Sequence, residues 1–228
     1  MRSGSIFLIS ILLLSVIYSC REKGTRNLRE GEIHYDVQYE GHISLMPKEI
    51  MPKNLIVAFK NDKITYELIS PLGNSGIVYL CNPSEHIYDT YLSLFTIRYF
   101  YPSRPGEYYP GFEAMSGMQV RKTLKTSNIC GFRCKNAEVT FPFDRSKIYN
   151  IWYTNEIPVK NPNASTPFCQ IDGVLMNFFF FIGRSEFHFT AQNVYRKEIP
   201  DKTFERKDKF QQVMKRDINR FINKMVSL

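Results

Sequence analysis

Residues 174–182, VLMNFFFFI, decide the fold. The run is almost continuously apolar, so it reads as a strand buried on both faces, and something besides the sheet must cover its second side. The C-terminus offers that cover. Phe210, Val213, Met214, Ile218, Phe221, Ile222 and Met225 fall at helical spacing with Lys and Arg on the remaining faces. This predicts an amphipathic helix over about 204–226, with Asp208 as its cap or first-turn acid.

Outward from this strand the hydrophobic period is two. GEIHYDVQYE at 31–40 places Ile33, Tyr35, Val37 and Tyr39 on one face, and NLIVAFK at 54–60 does the same with Leu55, Val57 and Phe59. Asn61-Asp62 then predicts a tight turn into KITYELI, with Ile64, Tyr66 and Leu68, so these two strands form a hairpin. Further strands are expected at 75–81, 85–92 and 94–101, the last also fitting a helix, and at MQVRKTLKT, RCKNAEVTF and KIYNIWYT. Many short strands and few helices define a mostly β (α+β) domain over 31–228. Its core is a single strongly curved antiparallel sheet covered by the C-terminal helix and long loops.

Two stretches interrupt the strands: 102–117 (PSRPGEYYPGFEAMSG) and 158–169 (PVKNPNASTPFC). The first is too rich in Pro and Gly for a regular element, and Tyr108, Tyr109 and Phe112 make simple solvation unattractive. It reads as a flap packed on the domain surface, with a lid over a cavity as the lesser alternative. Asn163-Ala164-Ser165 in the second fits a glycosylation sequon, which matters only in a eukaryotic secretory route.

The N-terminus reads as an address. Arg2 is a positive n-region, residues 6–17 (IFLISILLLSVI) are apolar over signal-peptide length, and Ser19 is the small residue before Cys20. The run is shorter than the roughly twenty residues of a spanning helix. Ile17-Tyr18-Ser19-Cys20 is similar to a bacterial lipoprotein box, from which Tyr18 departs. An ordinary secretory signal is the alternative, with Ile17 too large for a good small-x-small site. The expectation is a lipoprotein signal over 1–19, lipid on Cys20 and a charged, flexible tether over 20–30.

The formal net charge is +8, and residues 196–224 hold ten Lys or Arg against five Asp or Glu. Such a tail suits a solvated helix face or anionic headgroups. An export signal argues against nucleic acid, the other usual partner of basic patches. Cys81, Cys130, Cys134 and Cys169 remain in the mature chain, enough for two disulfides. If residues 130–134 enter a strand, Cys130 and Cys134 stand about 13 Å apart, too far to pair, which leaves each to pair with Cys81 or Cys169. A turn at Gly131 removes that restriction, and four buried free thiols are an equal alternative. The spacing is no metal signature, and no metal or other cofactor is expected.

Catalytic signatures are lacking. His34, His42, His86 and His188 are scattered, and no HExxH, GxSxG, Walker loop or Gly-rich dinucleotide turn occurs. His34 and His188 both fall in expected strands, yet two histidines without a third ligand make a poor metal site. Asp36, Glu67 and Glu138 read as solvated strand positions. Enzymatic activity is not expected.

Three successive motifs carry a resemblance: Gly131, Phe132, Cys134 and Ala137; then Trp152, Tyr153 and Thr154; then Gly173, Val174 and Leu175. In this order they resemble the GLPGLI family and related exported domains and lipoproteins of Bacteroidetes, over about a quarter of the chain. Asp172 departs from that signature, which has proline there, and the earlier Gly-Leu pair is missing. The resemblance implies a fold similar to the lipoprotein carriers LolA and LppX, an incomplete barrel holding apolar groups on its concave side under helices. It supplies no reaction. In physical terms Gly173 suits a turn of positive φ, Trp152 a core position and Asp172 a turn.

The expected function is therefore a non-catalytic, lipid-anchored protein of the cell envelope, at the outer membrane and facing the periplasm or the surface. It would bind an acyl chain or a lipoprotein's lipid on the concave sheet, with Tyr108, Tyr109, Phe112, Phe178 and Phe180 as ligand or lid residues. The alternative is an assembly lipoprotein that presents loops and a sheet edge to an envelope protein.

Overall fold

The computed structural model describes residues 28–40, 51–182 and 185–227. The signal segment, Cys20 and all of the tether but its last three residues lie outside them. Leu28 is already buried and β1 begins at Glu30, so the folded domain starts slightly earlier than position 31.

The strands are β1 (Glu30–Glu40), β2 (Asn54–Lys60), β3 (Lys63–Ile69), β4 (Ser75–Asn82), β5 (Ile87–Leu94), β6 (Ile97–Pro102), β7 (Gln119–Ile129), β8 (Phe132–Phe141), β9 (Asp144–Thr154), β10 (Val174–Ile182), β11 (Ser185–Tyr195) and the two-residue β12 (Gln211–Gln212). They form one sheet in the order β12-β6-β5-β4-β3-β2-β1-β11-β10-β9-β8-β7. Every pairing is antiparallel except that of β12 with β6. Successive hairpins build the left and right halves, and the pairing of β1 with β11 joins them. The sheet ends in two edges and is not closed into a barrel.

Its curvature follows from one side chain. Tyr79 of β4 and Phe180 of β10 are five strands apart in the order, about 24 Å in a flat sheet. Phe112 touches both, with ring centroids 5.2 Å from Tyr79 and 4.4 Å from Phe180. Only a strongly curled sheet lets one ring do this. The concave side carries Tyr35, Val57, Tyr66, Tyr79, Phe178, Phe180 and Phe189 in the main core. On the convex side a second, smaller core of Val78, Leu80, Ile87 and Tyr91 lies under Ile199 and Phe204.

The hairpin expected at Asn61-Asp62 forms, with Lys60 opposite Lys63 and Asn61 at φ +54°. Residues 94–101, which also fit a helix, instead turn at Phe95 into β6. Cys130 and Gly131 both take positive φ and make the two-residue turn between β7 and β8, so CGFRC does not enter a single strand. Gly173 needs no positive φ: a Cβ there would lie 2.6 Å from the Thr154 carbonyl oxygen, so close strand approach demands the glycine.

The C-terminal expectation requires the largest correction. The helix α1 spans Lys215–Ser227 only, not 204–226. Residues 196–210 cross the convex face, where the Asn82 amide donates to the Phe204 carbonyl at 3.1 Å and the Lys207 N–H donates to the Tyr91 hydroxyl at 3.1 Å. The chain then adds β12 beside β6 and turns around that edge, so that α1 packs over β6 and β10 through Ile218 and Ile222. Phe210 and Ile218 share a helical period in sequence but pack into different cores on opposite faces of the sheet. No helix among the described residues is long and apolar enough to cross a membrane.

Candidate functional site

The flap, residues 103–118, runs from β6 to β7, from near one sheet edge to the other, across the mouth of the curl. It is anchored at its aromatic middle. Tyr109 donates to the Leu80 carbonyl at 3.1 Å, its N–H bonds the Ser165 carbonyl, and the Tyr79 hydroxyl donates to the Pro110 carbonyl at 3.0 Å. Gly111, at φ +101°, passes so close to Ile222 and the Tyr79 hydroxyl that a Cβ would crowd both at 3.3 Å. Phe112 and Met115 are buried behind it.

The helix clips the flap from outside. The Lys215 ammonium binds Glu107 Oε1 at 2.8 Å and the Tyr108 carbonyl at 2.9 Å. Asn219 accepts from the Gly111 N–H at 3.0 Å and donates to Glu113. Burial pushes the Glu107 carboxyl up, but the Arg104 N–H, Lys215 and Tyr101 outweigh it and leave the group below its ordinary value. Glu107 is therefore a carboxylate at neutral pH, and the clip is charged.

Between flap, second loop and helix start lies a half-open cavity of about 550 Å³. Tyr108, Tyr109, Phe112, Met115, Met118 and Pro167 give it apolar walls, while Glu113, Ser116, Gln170 and Lys215 supply polar atoms. This volume suits a small-molecule ligand. Tyr108, 41% exposed, stands at the cavity with its hydroxyl 3.5 Å from Cys169 Sγ.

Of the expected ligand residues, the structure brings Tyr108, Tyr109 and Phe112 to this cavity. Phe178 and Phe180 are not among its walls: both are fully buried, packed against Phe168 and each other, with Phe112 over Phe180. The concave face is filled by aromatic rings, and the cavity lies beyond them under the flap. Met115, Met118, Gln170 and Lys215 went unnoticed in sequence. A methionine pair beside Tyr-Tyr and Phe was the available signal for the first two; Lys215 was hidden inside a run read as helix throughout.

The second loop, 155–173, is sealed. The Asn163 side chain is wholly buried, donating to the Ile171 and Gly173 carbonyls at 2.9 Å each, with the Tyr66 hydroxyl 3.4 Å from its oxygen. The sequon asparagine is thus a structural plug rather than a glycan acceptor. Asp172, expected as a turn residue, lies instead in the irregular stretch before β10 and binds Lys122 at 3.3 Å.

All four cysteines in the described residues are free. Cys81 and Cys134 are buried in different strands, and burial pushes each thiol up to about 11, so both are inert thiols at neutral pH. Cys130 Sγ rests 3.3 Å from the Ala191 carbonyl, and only Cys169 is exposed. The two-disulfide arrangement is replaced by packing. His34 and His188 do not converge either: His34 stands opposite Asn193 and bonds Glu32, whereas His188 stands opposite Gln38 and bonds Glu186. Glu138 is not simply solvated, since Arg121 and Lys125 both bind it.

No protein-family model matches the sequence, and no relative emerges among curated proteins.

Proposed function

We propose that this chain is a lipid-anchored protein of the cell envelope, at the outer membrane, attached through Cys20 after loss of residues 1–19. Its domain binds an apolar ligand, of the size of an acyl chain, without catalysis. The expected likeness to lipoprotein carriers fits this role. One observation supports it above others: a cavity of about 550 Å³ walled by Tyr108, Tyr109, Phe112, Met115 and Met118 under a loop that a single helix clips in place. Lys215 and Glu113, the charged groups at the cavity, are engaged with Glu107, Tyr108 and Asn219 in holding flap to helix.

The reading moves the ligand from the concave sheet, where Phe178 and Phe180 are packed shut, to the space beneath the flap. Native mass spectrometry of the full-length protein released from membranes tests it: a retained lipid-sized mass is expected, lost on Met115→Gln/Met118→Gln substitution. Protein that never carries such a mass, nor takes up added fatty acid, contradicts the reading. Palmitate labelling, abolished by Cys20→Ser, tests the anchor separately.

A second reading, a scaffold that presents its loops and a sheet edge to an envelope protein, draws on Leu124. This side chain is fully exposed on edge strand β7, between Lys122 and Lys125. Leu124→Asp would abolish partner capture under that reading and leave lipid retention intact under the first.

A further inference from the structure

The convex face of the sheet holds a cluster that the proposed ligand site does not use. Alternation along β11 buries Phe187 and Phe189 on the concave side and turns Glu186 and His188 outward. The β1–β11 register sets Glu40 directly opposite Glu186, two residues from His188. Like charges facing each other across a ladder destabilise it unless a cation lies between them. One oxygen of Glu186 already has its cation, because Lys147 Nζ binds Oε2 at 3.2 Å with the Tyr149 hydroxyl at 3.5 Å. That contact turns the other oxygen, Oε1, toward His188 Nε2 at 2.8 Å, with Glu40 Oε2 3.7 Å from the same nitrogen.

We infer that Glu40, Glu186 and His188 form a binding site for a first-row divalent metal ion, zinc being the best match. One ligand atom from each residue lies within 4.8 Å of the others. Tetrahedral zinc with bonds of roughly 2.1 Å wants its ligand atoms about 3.4 Å apart, so only small side-chain rotations separate this geometry from a coordinated one. One imidazole and two carboxylates form a mixed N/O set that suits zinc or cobalt better than calcium, which needs six or more oxygens. The remaining positions stay open to water.

The surroundings resemble a supporting shell. Lys147 and Tyr149 orient Glu186, and the His188 ring lies against Phe179 with centroids 6.2 Å apart. Phe179 in turn stacks on Tyr149 at 4.4 Å, giving the site a firm apolar floor. The metal takes the lone pair of neutral His188 at Nε2, with the ring N–H on Nδ1. His34 supplies the contrast. It shares strand β1 and the outward face but meets a single carboxylate, Glu32, which Lys197 also binds at 2.7 Å.

The test is titration of untagged full-length protein in detergent with Zn²⁺ by calorimetry and with Co²⁺ by visible absorption. One zinc per chain and a cobalt ligand-field spectrum of N/O character are expected. His188→Ala, Glu186→Gln and Glu40→Gln should each weaken binding by about tenfold or more, while His34→Ala leaves it unchanged. These side chains sit on the outward face, so the variants should keep their circular dichroism and melting point. The cobalt spectrum of the unmodified protein reads the site without any variant. Failure of the unmodified protein to bind either ion, or full zinc affinity in His188→Ala, overturns the inference.

Discussion

Residues 103–118 and 155–173 are both long, Pro-rich and aromatic, yet the second is built into the core whereas the first is clipped over it. In the second loop Asn163 ties two carbonyls of its own segment and Phe168 is fully buried among Phe178 and Phe180. In the first, Tyr109 and Phe112 are sunk, but Tyr108 stays partly exposed and the contacts to α1 run through Lys215 and Asn219. Similar composition therefore produces a wall in one case and a cover in the other. Both loops carry buried hydrogen bonds, the flap at Tyr109 and Pro110, but only the cover adds exchangeable contacts to α1 through Lys215 and Asn219. A cavity opens where the two meet.

Substitutions should separate the loops. Phe168→Ala should cost about 3–5 kcal/mol in chemical denaturation, the range for truncating a core aromatic. A loss under 1 kcal/mol would mean that the second loop is no more integral than the flap. Asn163→Ala should cost roughly 2–4 kcal/mol, because it leaves the Ile171 and Gly173 carbonyls without their buried donor. Lys215→Met breaks a partly exposed ion pair and should cost less than about 1 kcal/mol globally. Its effect should appear locally, as faster hydrogen exchange and proteolysis confined to 104–113. Equal acceleration in 155–173 would dissolve the contrast.

Acidification should loosen the same clip. Glu107 has its carboxyl held below the ordinary value in the folded protein, so its contribution is present above that ordinary value, near 4.5, and disappears as pH falls through the lowered one. Flap exchange should therefore rise below about pH 4.5 in the native protein, and much less in Lys215→Met, which has already lost the partner.

Much of the fold was legible in the chain. Ile33, Tyr35 and Val37 alternate because one face of β1 is buried, and Asn61-Asp62 turns where the polar pair interrupts two strands. Phe210, Val213 and Met214 misled because their spacing is helical while the chain there goes around the edge of β6, so that Phe210 packs against Tyr91 on the convex face. Periodicity records which residues are apolar, not which layer receives them. The candidate site was half legible: Tyr108, Tyr109 and Phe112 are neighbours in sequence, whereas Pro167, Gln170 and Lys215 reach the cavity only through tertiary packing. Glu40, Glu186 and His188 were invisible for the same reason, because the β1–β11 register that gathers them joins the two halves of the sheet.

The central claim is that the flap covers a cavity that receives an apolar chain. Methyl NMR of Met115 and Met118 during titration of the full-length protein with a twelve-carbon fatty acid tests it most directly. Both signals should shift together and saturate, with methionines outside the cavity, such as the buried Met176, unmoved. Signals from Met115 and Met118 that stay fixed at saturating fatty acid would contradict the account.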